Sequence, residues 1–341
     1  MFSKKSIFTT LDRVLDQTVL FGYDRIGYHL RRPLWQAADT DVSLRDRVCV
    51  VTGANSGLGR ATAQALAARQ ARVYLVCRNA ARGAQARAEI IEQTGNTNVQ
   101  LEVVDLASQA AIRGFVENFA RKESRVDVLV NNAGILPAMR ELTVDGIEST
   151  FAVNTLAYFL LTNLFAPLLE ASAGARVVNV SSGGQYLAKL DVQDLQFTRE
   201  PFDGTLAYAN TKRAELLLTS IWADCWRARG VLVFGMHPGW ADTPAVRTSL
   251  PVFHAIMRMT LRTPEEGADT IVWLCANPQL TASESGEFFF DRRARPMIRV
   301  EKTRNSAEEV AELWRQCCEL TGYAGPIRPA PETFAHAATR A

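Results

Sequence analysis

From Arg47 onward, short runs of apolar, often β-branched residues alternate with longer stretches whose apolar positions recur every three or four residues. The runs RVCVVT (47–52), ARVYLVCR (71–78), VQLEVVDL (99–106), VDVLVNNAG (126–134), ARVVNVSS (175–182), GVLVFGMHPG (230–239) and GEFFFD (286–291) predict seven strands. Between them lie helical patterns such as GLGRATAQALAAR (57–69) and AARGAQARAEIIEQT (80–94). The strand runs are continuously apolar, as expected of a sheet covered on both faces. Strands separated by helices imply right-handed crossovers, hence a doubly wound α/β fold with a seven-stranded parallel sheet over residues 45–300. Residues 1–44 form an N-terminal helical extension, and residues 301–341 a C-terminal helix with a loosely held, proline- and alanine-rich tail from 325.

The extension carries Phe8, Leu11, Leu15, Val19 and Leu20 at near-helical spacing, with basic and aromatic flanks. Such a helix fits either a membrane surface, through residues 1–40, or an apolar patch on the domain. Asp12, Asp16 and Asp24 reduce the basic excess and favour the second arrangement.

Composition narrows the partners. The 341 residues are 48% hydrophobic and 22% charged, with a net charge of +2, too small and scattered for a nucleic-acid partner. The six cysteines show no metal-ligand spacing and read as reduced core thiols. No signal-peptide pattern and no run of about 18 uncharged apolar residues occurs, so a cytoplasmic protein, peripheral to a membrane at most, is expected.

The chemistry begins after the first strand. In TGANSGLG (52–59), Gly53, Gly57 and Gly59 are spaced for a tight turn, close backbone approach and helix–strand packing. The helix that follows offers free N–H groups and a partial positive charge to a pyrophosphate, with Asn55, Ser56 and Leu58 in the loop. The second strand runs into Arg78 rather than an acidic residue, and Arg60 follows the glycines. Arginine forks suit a ribose 2′-phosphate, which favours NADP(H) over NAD(H). Asp105, before Leu106, is placed either to accept a bond from an adenine amino group or to cap the next helix.

These features, with NNAG (131–134), Asn154, Ser182, YANTK (208–212) and HPGWADT (237–243) in that order, resemble the short-chain dehydrogenase/reductase family over about residues 44–295. TGANSG, the CR after the second strand and the long Ser182–Tyr208 spacing resemble its retinol-dehydrogenase-type subset. SSGG, PFDGT, HPGWADTP and FFFDRR bring the chain nearest to an orphan mammalian member of that subset.

The resemblance implies a Rossmann fold and a catalytic tetrad of Asn154, Ser182, Tyr208 and Lys212. Phenols ordinarily titrate near 10, and an ammonium one helical turn away together with an oxidised nicotinamide favours the phenolate. Tyr208 would then move the hydroxyl proton, Ser182 would bond the same oxygen, and Asn154 would anchor a relay water beside Lys212. Ser181 is the alternative hydroxyl. Asn132, Ala133 and Gly134 would line the adenosine side of the cofactor, and Pro238, Gly239, Trp240 and Thr243 its nicotinamide side. The insertion KLDVQDLQFTREPFDGT would lie beside the site, and the segment after Thr243, with Leu250, Val252, Phe253, Ile256, Met257 and Met259, would form an apolar lid. Helix 207–228 is the family's route to a homodimer, unless the terminal extensions block it.

The expected function is NADP(H)-dependent interconversion of a small lipophilic alcohol and its carbonyl. The alternative is a non-catalytic NADP(H)-binding sensor, disfavoured by the intact Tyr208–Lys212 pair. A nucleotide-sugar epimerase or dehydratase is disfavoured by the glycine spacing.

Overall fold

The computed structural model describes residues 12, 15, 16, 22–199 and 201–340. The expected helical positions Phe8, Leu11, Val19 and Leu20 lie outside them. The described chain begins with α1 (Arg25–Arg31) and continues through β1 (Val48–Thr52), α2 (Gly57–Ala68), β2 (Arg72–Cys77), α3 (Ala80–Thr94), β3 (Val99–Val103), α4 (Gln109–Lys122) and β4 (Val128–Asn131). Next, α5 (Ser149–Phe151) passes through a π-turn, Ala152–Leu156, into α6 (Ala157–Leu164), followed by α7 (Ala166–Glu170) and β5 (Arg176–Val180). The rest comprises α8 (Gly204–Trp226), β6 (Leu232–Met236), α9 (Pro244–Ser249), α10 (Pro251–Met257), α11 (Pro264–Ala276), β7 (Phe288–Phe290), β8 (Arg293–Arg295), α12 (Ala307–Thr321) and α13 (Pro331–Arg340).

All seven expected strands pair in parallel, in the order β3-β2-β1-β4-β5-β6-β7. Their side chains alternate between two cores, as the period of two requires. Val48, Val50, Tyr74, Val76, Leu129, Val177 and Val233 face Phe115, Phe159, Leu216 and Trp222. Cys49, Val51, Val73, Leu75, Val128, Val130, Val178 and Phe234 face Leu66, Ile90, Ile271 and Leu274.

The sheet has eight strands rather than seven. β8 pairs antiparallel to β7, Phe288 opposite Arg295 and Phe290 opposite Arg293. Only Asp291 and Arg292 join them, both with positive φ (49° and 57°), as a tight hairpin turn of this hand requires. Three residues reading RAR carry no apolar pattern, which is why the strand is invisible to periodicity.

Asp291 also ties down the N-terminal extension. Its carboxylate receives bonds from Arg31 (2.8 Å) and Arg262 (2.6 and 2.9 Å), all three side chains being almost fully buried. Asp12 is held by Arg31, Arg293 and Arg295 at 2.6–3.1 Å. Burial raises the Asp12 carboxyl, but the three guanidiniums outweigh it and hold the group far below the usual carboxylate range. The Tyr23 carbonyl accepts from Trp240 N–H, and Arg25 N–H donates to the Thr260 carbonyl, both at 2.8 Å. The described part of the extension therefore packs on the domain.

The C-terminal segment differs from expectation as well. Instead of a loose tail, Pro331 opens α13, whose Ala337 and Ala338 are buried in the larger core with α8 and α12. Small alanines let this helix approach closely, and Arg304 donates to the Ala338 and Thr339 carbonyls. α8 starts three residues earlier than expected, capped by Asp203, and α12 and α13 pack against it.

Removing the Asp291 charge leaves two buried guanidiniums short of a partner. Asp291→Asn is expected to cost about 3–5 kcal/mol, measured as a lower urea midpoint with an unchanged m-value.

Candidate active site

The carboxyl ends of the strands open into a cleft of about 670 Å³. Its floor is the glycine loop. Gly53 has φ +65° and Gly57 φ +52°, conformations that favour glycine. A Cβ on Gly59 would press into the Gly53 carbonyl and lie 2.5 Å from Asn132 Nδ2, so this glycine packs the loop rather than lining the cleft. Ser56 makes no side-chain bond to the first turn of α2, whose N–H groups are left for a ligand. An uncapped helix start, a loop with no room for a side chain at Gly59, and a cleft of this size fit a dinucleotide.

Most of the expected residues meet in this cleft. Gly53, Asn55, Ser56, Gly57, Leu58, Arg78, Asp105, Leu106, Asn132, Ala133, Gly134, Ser182, Tyr208, Lys212, Pro238, Gly239, Trp240 and Thr243 all line it. Arg60 does not: its guanidinium is paired with Glu89 at 2.6 Å. Arg82, to which the sequence analysis assigned no role, lines the cleft beside Arg78 and Asn79. The Asp105 carboxylate accepts from Ala107 N–H at 3.0 Å, and the helix-capping role falls to Ser108. Thr243 caps α9 through Val246 N–H.

The polar groups at the centre are fixed by secondary structure. Tyr208 and Lys212 lie one turn apart on α8, with Lys212 Nζ 5.4 Å from the centre of the Tyr208 ring. Lys212 is buried, and Nζ donates to the Val180 carbonyl (2.9 Å) and to Glu215 (2.8 Å). The Ser181 hydroxyl is spent on the Lys212 carbonyl at 2.7 Å, whereas Ser182 Oγ accepts Gly184 N–H and keeps its own proton to donate. A Cβ on Gly184 would lie 3.5 Å from Ser182 Oγ and 4.0 Å from Tyr208 Cε1, so both border the same space. Asn154 sits in the π-turn, a distortion frequent at functional sites. Its side chain accepts Ile135 N–H and donates to the Ile135 carbonyl and Thr211 Oγ1, behind Gly134 and near Lys212.

Three participants carried no sequence signal. Tyr23, from the extension, walls the cleft between His237, Trp240 and Phe290, at ring distances of 4.7–6.0 Å. His237 stacks on Phe290 at 4.0 Å, and burial together with Arg262 and other nearby guanidiniums keeps its imidazole well below the usual histidine range. Glu215 is the third. Of the expected lid residues, Leu250 and Phe253 line the cleft, the latter edge-on to Trp240 at 5.2 Å. Val252, Ile256 and Met259 face solvent.

A short chain dehydrogenase profile matches residues 47–251. The chain belongs to the short-chain dehydrogenase/reductase family. It is therefore an oxidoreductase acting on CH–OH donors, with a site for a nicotinamide cofactor. It is similar to the dehydrogenase/reductase SDR family member 12 of Bos taurus, 44% identical over 85% of this chain and 91% of that one. It also resembles retinol dehydrogenase 12 of Homo sapiens, 37% identical over 83% of this chain and 89% of that one. Among solved structures, a short chain dehydrogenase of Escherichia coli CFT073 complexed with NADPH superposes with a TM-score of 0.61 at 26% identity, covering 76% of this chain and all of that one. No helix among the described residues is long and apolar enough to cross a membrane.

Gly59→Ala forces its new methyl into the Gly53 carbonyl. A loss of about 1–3 kcal/mol in unfolding free energy is expected, read by chemical denaturation of the cofactor-free protein.

Proposed function

We propose that this protein interconverts an alcohol and its carbonyl using NADP(H), with Tyr208 as the proton carrier. The observation that carries the reading is the convergence, on one wall of the cleft, of the Tyr208 phenol, the Lys212 ammonium 5.4 Å from its ring, and the Ser182 hydroxyl. When bound, the nicotinamide supplies or accepts the hydride. In reduction, Tyr208 donates its proton to the carbonyl oxygen while Ser182 donates a hydrogen bond to the same atom. In oxidation Tyr208 takes the hydroxyl proton, and the Lys212 charge favours the phenolate that accepts it. Asn154 holds the Gly134–Ile135 backbone against the lysine, which keeps the proton path in register.

The NADP(H) preference rests on Arg78 and Arg82. Both border the cleft at the end of β2, whereas Asp105, which also lines it, stands after β3 and accepts from Ala107 N–H. Arg60, held by Glu89, supports the surrounding surface. A lipophilic substrate is supported by the other end of the cleft, where Leu187, Trp240, Val246, Leu250 and Phe253 present apolar surface.

Tyr208→Phe tests the mechanism. Purified protein is screened with NADPH against lipid, steroid and retinoid carbonyls. The variant is expected to lose at least about 100-fold in kcat while its NADPH affinity changes little. Retained turnover sinks the proton-carrier role, and NADPH binding without turnover of any carbonyl by the wild type favours the sensor. For the cofactor, Arg78→Ala is expected to weaken NADPH binding by about 10-fold or more, one charge-assisted hydrogen bond being worth roughly 1.5–3 kcal/mol. NADH binding, followed by the same fluorescence titration, should stay nearly unchanged; equal losses for both cofactors contradict the assignment.

A further inference from the structure

Glu215 stands behind Lys212, outside the lining of the cleft, and has no part in the proposed chemistry. It lies three residues beyond Lys212 on α8, is fully buried, and accepts the 2.8 Å bond from Lys212 Nζ on Oε1. Its Oε2 has no hydrogen-bond partner among the described residues. Lys212 on its own helix pulls the carboxyl down, and Glu215 in turn opposes ionisation of Tyr158 on α6. The buried Tyr158 hydroxyl likewise has no partner among the described residues, and its ring centre is 5.6 Å from Nζ. The polar chain beneath Glu215, formed by Thr219, Asn179 and Asn131, is neutral.

A buried ion pair adds little to stability over apolar packing, whereas a half-satisfied carboxylate carries a desolvation cost. Geometry gives this one a consequence. With one ammonium donor on the Val180 carbonyl and another on Glu215, Lys212 retains a single N–H for the cleft. The charge that it presents to Tyr208 is accompanied by a nearby anion whenever Glu215 is ionised.

We propose that Glu215 is a positioning residue for proton transfer: it clamps the Lys212 ammonium against the Val180 carbonyl and offsets the charge that reaches Tyr208. This rests on the reading of Tyr208 as proton carrier. Burial pushes the Glu215 carboxyl up to about 8, against the pull of Lys212, so the offset grows as pH rises through the range in which an alcohol must surrender its proton. An anion near a phenol opposes loss of the phenolic proton. Glu215→Gln keeps the shape and removes that opposition, so Tyr208 should deprotonate at lower pH.

Tyrosinate absorbance of the cofactor-free chain is titrated, and the curve of Tyr208→Phe is subtracted to isolate the Tyr208 step. The same subtraction in a Glu215→Gln background is expected to lower the midpoint by about one pH unit, while Glu215→Asp, which keeps the charge, stays near the wild type. Coincident midpoints for wild type and Glu215→Gln overturn the proposal. Glu215→Ala gives a second reading of the same midpoint, and a midpoint left at the wild-type value in whichever of the two uncharged variants folds overturns the coupling. A purely structural Glu215 would lower the melting temperature and leave the midpoint in place. No cofactor or substrate enters this measurement, so failure to find turnover would count against the proposed carbonyl chemistry without deciding the role of Glu215.

Discussion

Burial of a parallel sheet on both faces is the constraint from which the rest of this molecule follows. With helices on each side, the strand interiors hold mainly apolar side chains, and polar groups gather toward the strand ends and loops. Six strands run at their carboxyl ends into cleft-lining residues: Gly53 after β1, Arg78 after β2, Val104 after β3, Asn132 after β4, Ser181 and Ser182 after β5, and His237 after β6. The cleft is the place where the sheet runs out of hydrophobic obligation, and α8 crosses it with Tyr208 and Lys212 on the side that faces the cleft.

The same burial explains the tension around Lys212. An ammonium held among Val180, Tyr158 and Glu215 is almost wholly removed from water. Burial pulls it down, yet Glu215 and Tyr208 outweigh that and hold the lysine above its ordinary range. A charge that acts on a phenol is strong in such a setting and must also be compensated there. Glu215, 2.8 Å from the ammonium, supplies that compensation.

At the end of the cleft walled by Tyr23, closure is achieved by ion pairs rather than by the sheet. Asp12 and Asp291 gather guanidiniums from Arg31, Arg262, Arg293 and Arg295, and this cluster seats Tyr23 against Gly183 and His237. β8 exists largely to present two of those arginines. The N-terminal extension thereby becomes a wall of the cleft, and α12 and α13 cover the outer side of α8.

What the sequence determined by itself was whatever depends on near neighbours along the chain. Seven strands follow from apolar runs, the tight loop between β1 and α2 from glycine spacing, and the placing of Tyr208 and Lys212 on one helix face from a separation of four residues. The tertiary structure alone decided what depends on distant partners. Arg60 was diverted by Glu89, Ser181 was taken by the Lys212 carbonyl, and the capping role went to Ser108 rather than Asp105. Tyr23 reached the cleft through salt bridges spanning some 280 positions, and the final alanines became a packed helix because α8 offered them a surface. Short-range periodicity encodes conformation, whereas the identity of a charged group's partner is settled only when the chain has closed on itself.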